Sequence, residues 1–234
     1  TSLFACTMMV LIGFGGYCFG AELKVAKGEK RVVEKSMTLS SLTIDEGGSL
    51  AAPEGKYLTM TVYGVGKKIK PGAYMGDIVL SVTDTYIMAP YGDRPQTKVT
   101  TNFHTAILVN DGKVIRETST PAVVYGGEVT DTRTEGIYIA SEDDCFNGII
   151  VKGDTEYTIN NVKMDLDGFG SNDFIGVGSA VAAYDNARVT INDSEFNVNG
   201  VTRSAIHVGG NSVTTLNNCR IFKTTPASDW VNKF

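Results

Sequence analysis

Cysteine, histidine and proline are all scarce, at 4, 2 and 6 residues in a chain of 234. Cys6 and Cys18 fall in an apolar leader, so only Cys145 and Cys219 remain downstream. Two lone thiols with no histidine nearby make no metal site. They either close one disulfide in an oxidising compartment or pack as small apolar side chains. Positive charge is also short: 21 Lys and Arg against 26 Asp and Glu leave a net charge of −5. With no extended basic patch, this argues against nucleic-acid binding. The 26 glycines follow no triplet period, which excludes collagen, and a 42% hydrophobic share excludes disorder. Gly-x-Ser-x-Gly, a Walker loop, a dinucleotide fingerprint and Cys-x-x-Cys are all missing. After residue 36 no long window repeats apolar residues at helical spacing.

Residues 1–20, TSLFACTMMVLIGFGGYCFG, carry no charged side chain. The apolar run from Met8 to Phe19 is short for a membrane span, and small residues Cys18 and Gly20 precede Ala21. This pattern predicts a secretory signal peptide over 1–20, export to the extracellular space or cell surface, and no membrane span once it is removed. The initiator Met and a basic n-region are missing, so a longer start is expected.

What the sequence does contain is short alternating runs broken by Gly, Asn or Asp, the pattern of strands. Leu58–Val62, Ile78–Val82 and Ala106–Val109 are examples, and Asn110-Asp111-Gly112 predicts a hairpin. The second half repeats itself. Thr158-Ile159-Asn160 returns as Thr190-Ile191-Asn192 and as Thr215-Leu216-Asn217, at spacings of 32 and 25 residues. Aligning these turns stacks Ile149, Val181 and Ile206; Val151, Ala183 and Val208; Ile159, Ile191 and Leu216; and Met164, Phe196 and Ile221. Apolar columns within short period-2 strands predict strands stacked in parallel around a shared core. Asn160, Asn192 and Asn217 then form a ladder of amides at a bend.

With the Pro71-Gly72-Ala73-Tyr74 turn running into a strand, these repeats resemble the right-handed parallel β-helix of the pectate-lyase-like superfamily. Residues 134–221 look most like uncharacterised secreted bacterial β-helix proteins. The resemblance implies an all-β solenoid with a less regular strand-rich N-terminal part. The expected divisions are a strand-rich part over 21–133, regular coils over 134–223, and a loop or truncated end over 224–234. In that last segment Trp230 is expected to cover the open end of the solenoid.

Fold does not dictate activity, so three functions stay in view. The leading one is a secreted or cell-surface, non-catalytic module, adhesin-like or scaffolding, that binds an extracellular polysaccharide or cell-surface glycan. The second is a polysaccharide lyase or glycoside hydrolase. Asp143-Asp144-Cys145 resembles the Asp-Asp-Cys element of polygalacturonase-type hydrolases, which would make Asp143 and Asp144 the paired carboxylates. The companion Asn-Thr-Asp, Gly-His-Gly and Arg-Ile-Lys elements are absent, and a solvated turn over Glu142-Asp143-Asp144 before the strand at Gly148 is the better reading of the run. The third is a Ca²⁺-stabilised carbohydrate-binding module. The longer turn carries its 7 extra residues between Gly168 and Gly178, and insertions in solenoids emerge as binding loops. Asp165, Asp167 and Asp173 would supply oxygen ligands to Ca²⁺, with Asn172 beside them. The alternative is a polar turn whose side chains cap their own backbone. Tyr184, Arg203 and His207 are expected to line an exposed polar strip suited to a sugar.

Overall fold

The structure, a computed structural model, describes residues 20–88 and 101–225. The expected signal peptide, apart from Gly20, and Trp230 lie outside the described residues. The described chain is nearly all β, with no α-helix. Short 3-10 turns lie at Pro121–Val123 and Asp173–Ile175. Among the described residues no helix is long and apolar enough to cross a membrane.

Three parallel arrays carry the repeat. The first runs Tyr138–Ser141, Lys163–Leu166, Glu195–Asn199, Arg220–Thr224. The second runs Thr101–Asn110, Phe146–Lys152, Val181–Ala183, Ile206–Val208. The third runs Arg133–Glu135, Glu156–Asn160, Arg188–Asn192, Val213–Asn217. The chain visits the three sheets in a fixed order, and each visit pairs with the one before. Ile159, Ile191 and Leu216 are neighbours in register, as are Met164, Phe196 and Ile221. Period-2 alternation sends these columns inward.

The amide ladder forms too. Asn192 Nδ2 donates to Asn160 Oδ1, and Asn217 Nδ2 to Asn192 Oδ1, each at 2.8 Å. The next residues, Asn161, Asp193 and Asn218, take the left-handed conformation at φ of 50°, 50° and 52°. Asn and Asp adopt it at least cost among non-glycine residues. Thus the repeated Asn-Asn/Asp pair both turns the chain and ties successive turns together.

Three apolar columns end differently from the expectation, since Val208 is 48% and Ile221 44% exposed at the ends of theirs. Ile159 and Ile191 are fully buried, but Leu216 is 40% exposed. Its strand is the last of its sheet among the described residues, none of which adds a further row of side chains over it.

The N-terminal part is built on another plan. Met37–Ile44, Gly72–Asp84, Lys56–Val62 and Val65–Lys67 pair antiparallel. Gly66 then pairs parallel with Ser141, so this sheet continues into the first parallel array as one ten-stranded sheet. Its own core is Leu42, Met60, Ile78 and Leu80. A second, shorter repeat opens it: Leu23 pairs with Leu42 and Lys30 with Ser49, both parallel and 19 residues apart. The hairpin at Asp111-Gly112 joins Asn110 to Lys113, with φ of 47° and 69° at its two central residues. Both residues left-handed is the turn that matches strand twist.

The insert does not project from the sheets. Ile175 and Val177 are buried against Phe103, Leu108, Ile150, Ala182 and Tyr184 on the outer face of the second sheet. Ile150 and Ala182 do point outward, as the alternation requires, but the insert covers them.

Candidate functional site

The outer face of the first sheet carries three columns of polar side chains. Register and alternation place Tyr138, Lys163, Glu195 and Arg220 in one column. Ala140, Asp165, Asn197 and Phe222 form the next. Asp167, Asn199 and Thr224 form the third, one residue beyond the strand ends on the Asp167 side. Met164, Phe196, Leu166 and Val198, between these columns, are buried. Rows lie about 4.8 Å apart, the spacing of paired strands.

Hydrogen bonds hold the columns flat. Tyr138 Oη donates to Asp165 Oδ2 at 2.7 Å, and Asn197 Nδ2 to Asp165 Oδ1 at 2.6 Å. Asn199 Nδ2 donates to Asp167 Oδ1 at 3.0 Å, and Thr224 Oγ1 to Asn199 Oδ1 at 2.9 Å. Glu195 draws in Lys163 at 3.4 Å and Arg220 at 3.0 Å. Burial, together with the hydrogen bond to Asp165, pushes the Tyr138 phenol up to about 12. The Asn197 amide and then the Lys163 ammonium hold the Glu195 carboxyl below its usual range. A groove of about 430 Å³ runs between Asp165, Asp167, Asn197, Asn199 and Phe222. A smaller recess of about 200 Å³ adjoins Tyr63, Tyr125 and Tyr138. Tyr63 and Tyr125 are 66% and 62% exposed, and Phe222 is 53% exposed.

Several expected site residues do structural work instead. Arg203 does not line an exposed strip: it is 2% exposed. Its Nε donates to the Gly168 carbonyl at 3.0 Å, Nη1 to Phe146 at 2.9 Å and Nη2 to Asp143 at 2.7 Å. Burial lowers its pKa to about 10. Tyr184 is fully buried, and its hydroxyl donates to the Ile175 carbonyl at 2.7 Å. His207 is half-buried with its ring 5.4 Å from that of Tyr184; burial lowers its pKa, and the Asp173 carbonyl opposes the shift. The polar strip expected from these three residues is therefore closed over by the insert.

Asp143 and Asp144 do not form a solvated turn. Lys68 Nζ donates to Asp144 Oδ1 at 2.6 Å, and the same oxygen accepts the Phe169 backbone N–H at 2.9 Å. Lys67 pairs with Glu142 beside them. Tyr57 stacks on His104 with centroids 3.6 Å apart, and His104 Nε2 lies 3.9 Å from Asp143 Oδ2. Tyr57, Lys67 and Lys68 belong to the N-terminal sheet and its exit, so these contacts fasten the two parts of the chain together. Burial, then the neighbouring Asp144 charge, lifts the Asp143 carboxyl to about 6. Burial, then Arg203, drives His104 down to about 3, so it stays neutral at pH 7.

Asn172 caps the 3-10 turn, accepting the Phe174 N–H on Oδ1 at 3.1 Å, and Asp173 is exposed on that turn. Asp165 and Asp167 are engaged by Tyr138, Asn197 and Asn199, as above. Among the described residues no group of three or more His, Cys, Asp or Glu side chains is arranged to hold a metal ion. Cys145 and Cys219 are free thiols, and burial raises the Cys145 thiol.

Tyr138, Asn197, Asn199, Phe222 and Thr224 were not expected from the sequence. The signal was available, since Asp165 and Asn197, like Asp167 and Asn199, stand 32 residues apart in the same register as the apolar columns. No family model matches this chain. Neither a curated protein nor a solved structure shows significant similarity to it.

Proposed function

We propose that this chain is a secreted or cell-surface, non-catalytic module with the right-handed parallel β-helix architecture of the pectate-lyase-like superfamily. It acts as an adhesin-like or scaffolding element by binding a neutral polysaccharide on the outer face of its long sheet. The observation that carries this reading is the flat grid of Asp165, Asp167, Asn197 and Asn199 flanked by exposed aromatic rings. Carboxylate and amide groups offer paired acceptors and donors to sugar hydroxyls. Exposed Tyr and Phe rings offer flat apolar surface with a polar edge. Asp165, Asp167 and Glu195 against Lys163 and Arg220 leave the face slightly acidic, which disfavours a polyanion. The alternative, hydrolysis or elimination at Asp143 and Asp144, finds less support. Asp144 is occupied by Lys68 and the Phe169 N–H, and Asp143 lies against His104 with its side chain only 16% exposed.

The test is a glycan-array screen of the full chain with and without Ca²⁺, repeated with Phe222→Ala. A neutral polysaccharide retained by the wild type without Ca²⁺, and weakened in the variant, is the expected result. Retention only of acidic glycans, or only with Ca²⁺, overturns the reading.

A further inference from the structure

A second recess lies away from the polar grid and shares none of its residues. It has a volume of about 460 Å³ and sits where the interior of the parallel stack ends on the N-terminal side. It is lined by Ala106 and by Ile107, the first member of an interior column that continues through Ile149 and Val181. Within the stack a further row of side chains packs on each such column. Here the roof is the hairpin residue Val114 with Val124 and Val129 from two-residue strands. Three valines are too small to replace a full row, so an apolar space stays open. Its size falls in the range of small-molecule sites and holds roughly fifteen water-sized units.

The rim decides what chemistry fits. Asp131 is satisfied: its Oδ1 accepts the Val114 N–H at 2.9 Å, and its Oδ2 lies 3.3 Å from Lys113 Nζ. Ser119 is satisfied as well, donating to the Ile115 carbonyl at 2.7 Å and accepting the Leu108 N–H at 3.0 Å. Arg116 lines the same rim, is exposed, and makes no hydrogen bond among the described residues; after the Val114 N–H and Lys113, its charge also helps hold the Asp131 carboxyl below its usual range. A planar guanidinium that no hydrogen bond occupies, at the mouth of an apolar recess, is complementary to a carboxylate carrying an apolar tail.

We infer that this recess binds a small amphipathic carboxylate, its chain against Val114, Val124, Val129 and Ile107 and its head group on Arg116. The apolar wall supplies affinity by removing the chain from water, and Arg116 selects the ionised head over a neutral one.

Octanoate, below its micellar concentration, and octanol are the probes for calorimetric titration of the full chain. Octanoate binds the wild type and shifts the methyl resonances of Val114, Val124 and Val129. Arg116→Met weakens octanoate about tenfold or more, and Arg116→Lys restores part of the loss. Octanol binds more weakly than octanoate and is indifferent to Arg116→Met. Val129→Trp, which fills the recess, removes octanoate binding while the melting temperature of Arg116→Met stays that of the wild type. The inference is overturned if octanoate produces neither heat nor methyl shifts. It is equally overturned if Arg116→Met binds octanoate as well as the wild type, or if octanol binds as tightly as octanoate.

Discussion

Replacing Arg203 with Met tests whether this side chain is a structural fastener or a ligand contact. The guanidinium is 2% exposed and donates to three backbone carbonyls, those of Asp143, Phe146 and Gly168. Hydrogen bonds to a charged group contribute about 1.5–3 kcal/mol each, so three give roughly 4.5–9 kcal/mol before desolvation. Burial lowers the pKa from 12.5 to about 10, which corresponds to roughly 3 kcal/mol against the charged form. The surplus is about 1.5–6 kcal/mol. Met occupies similar space but leaves the three carbonyls without their donor, which places the loss near 3–5 kcal/mol. Arg203→Lys keeps the charge but cannot reach three carbonyls in one plane, so it falls between the two. Urea denaturation followed by circular dichroism, extrapolated linearly to water, measures each loss. A loss below about 1 kcal/mol for Arg203→Met refutes the reasoning. So does an Arg203→Met protein of unchanged stability that no longer binds glycan.

Three further outcomes follow from the same geometry. Ile191→Ala, at a fully buried position, costs about 3–4 kcal/mol, whereas Leu216→Ala, 40% exposed in the same column, costs less than half of that in the same urea assay. Equal losses would contradict the open end of the stack. His104, with its pKa driven from 6.5 to about 3, stabilises the fold above pH 6.5, and this contribution is lost as pH falls toward 3. Asp143, lifted from 3.8 to about 6, stabilises the fold below pH 3.8, and its contribution is lost as pH rises toward 6. The two oppose each other between about pH 4 and 6, so relative to the wild type Asp143→Asn gains stability with rising pH there, by about 1.4 kcal/mol per unit. His104→Phe shows the reverse slope, and parallel curves for both variants would refute the assignment. Excising the 7 extra residues of the insert uncovers Leu108, Ile150 and Tyr184 and lowers the melting temperature by several degrees. An unchanged melting temperature would mean that Ile175 and Val177 contribute no packing.

The repeat was legible because its signal is local and recurs. Thr158, Thr190 and Thr215 pair in register, and the apolar columns lie inside as the alternation required except at their last members, Val208, Leu216 and Ile221. Alternation also sent Ile150, Ala182 and His207 outward correctly. It carried no information on whether outward meant exposed, because the cover comes from Ile175 and Val177 on an insert whose composition reads as a polar loop. Tyr57 and His104 lie 47 residues apart on different sheets, with nothing in either neighbourhood to announce a stack. Arg203 looked like a surface cation because its partners are backbone carbonyls, which leave no trace in side-chain patterns. The antiparallel N-terminal sheet was legible strand by strand, but not in its pairing. Its opening repeat, Leu23-x-Val25-x-x-Gly28 and Leu42-x-Ile44-x-x-Gly47, was in the sequence and short enough to pass unnoticed.

The most direct measurement is calorimetric titration of the polysaccharide retained on the array against two double variants. Asp167→Ala with Asn199→Ala removes one column of the outer-face grid, where Asp167 is exposed and Asn199 half-buried on the outer face, so their loss leaves the core untouched. Asp143→Asn with Asp144→Asn removes both acids of the other candidate site. The account predicts that the first pair weakens binding by at least tenfold while the second binds as the wild type does. Unchanged binding by the first pair, with loss in the second, would contradict it and move the site to Asp143 and Asp144.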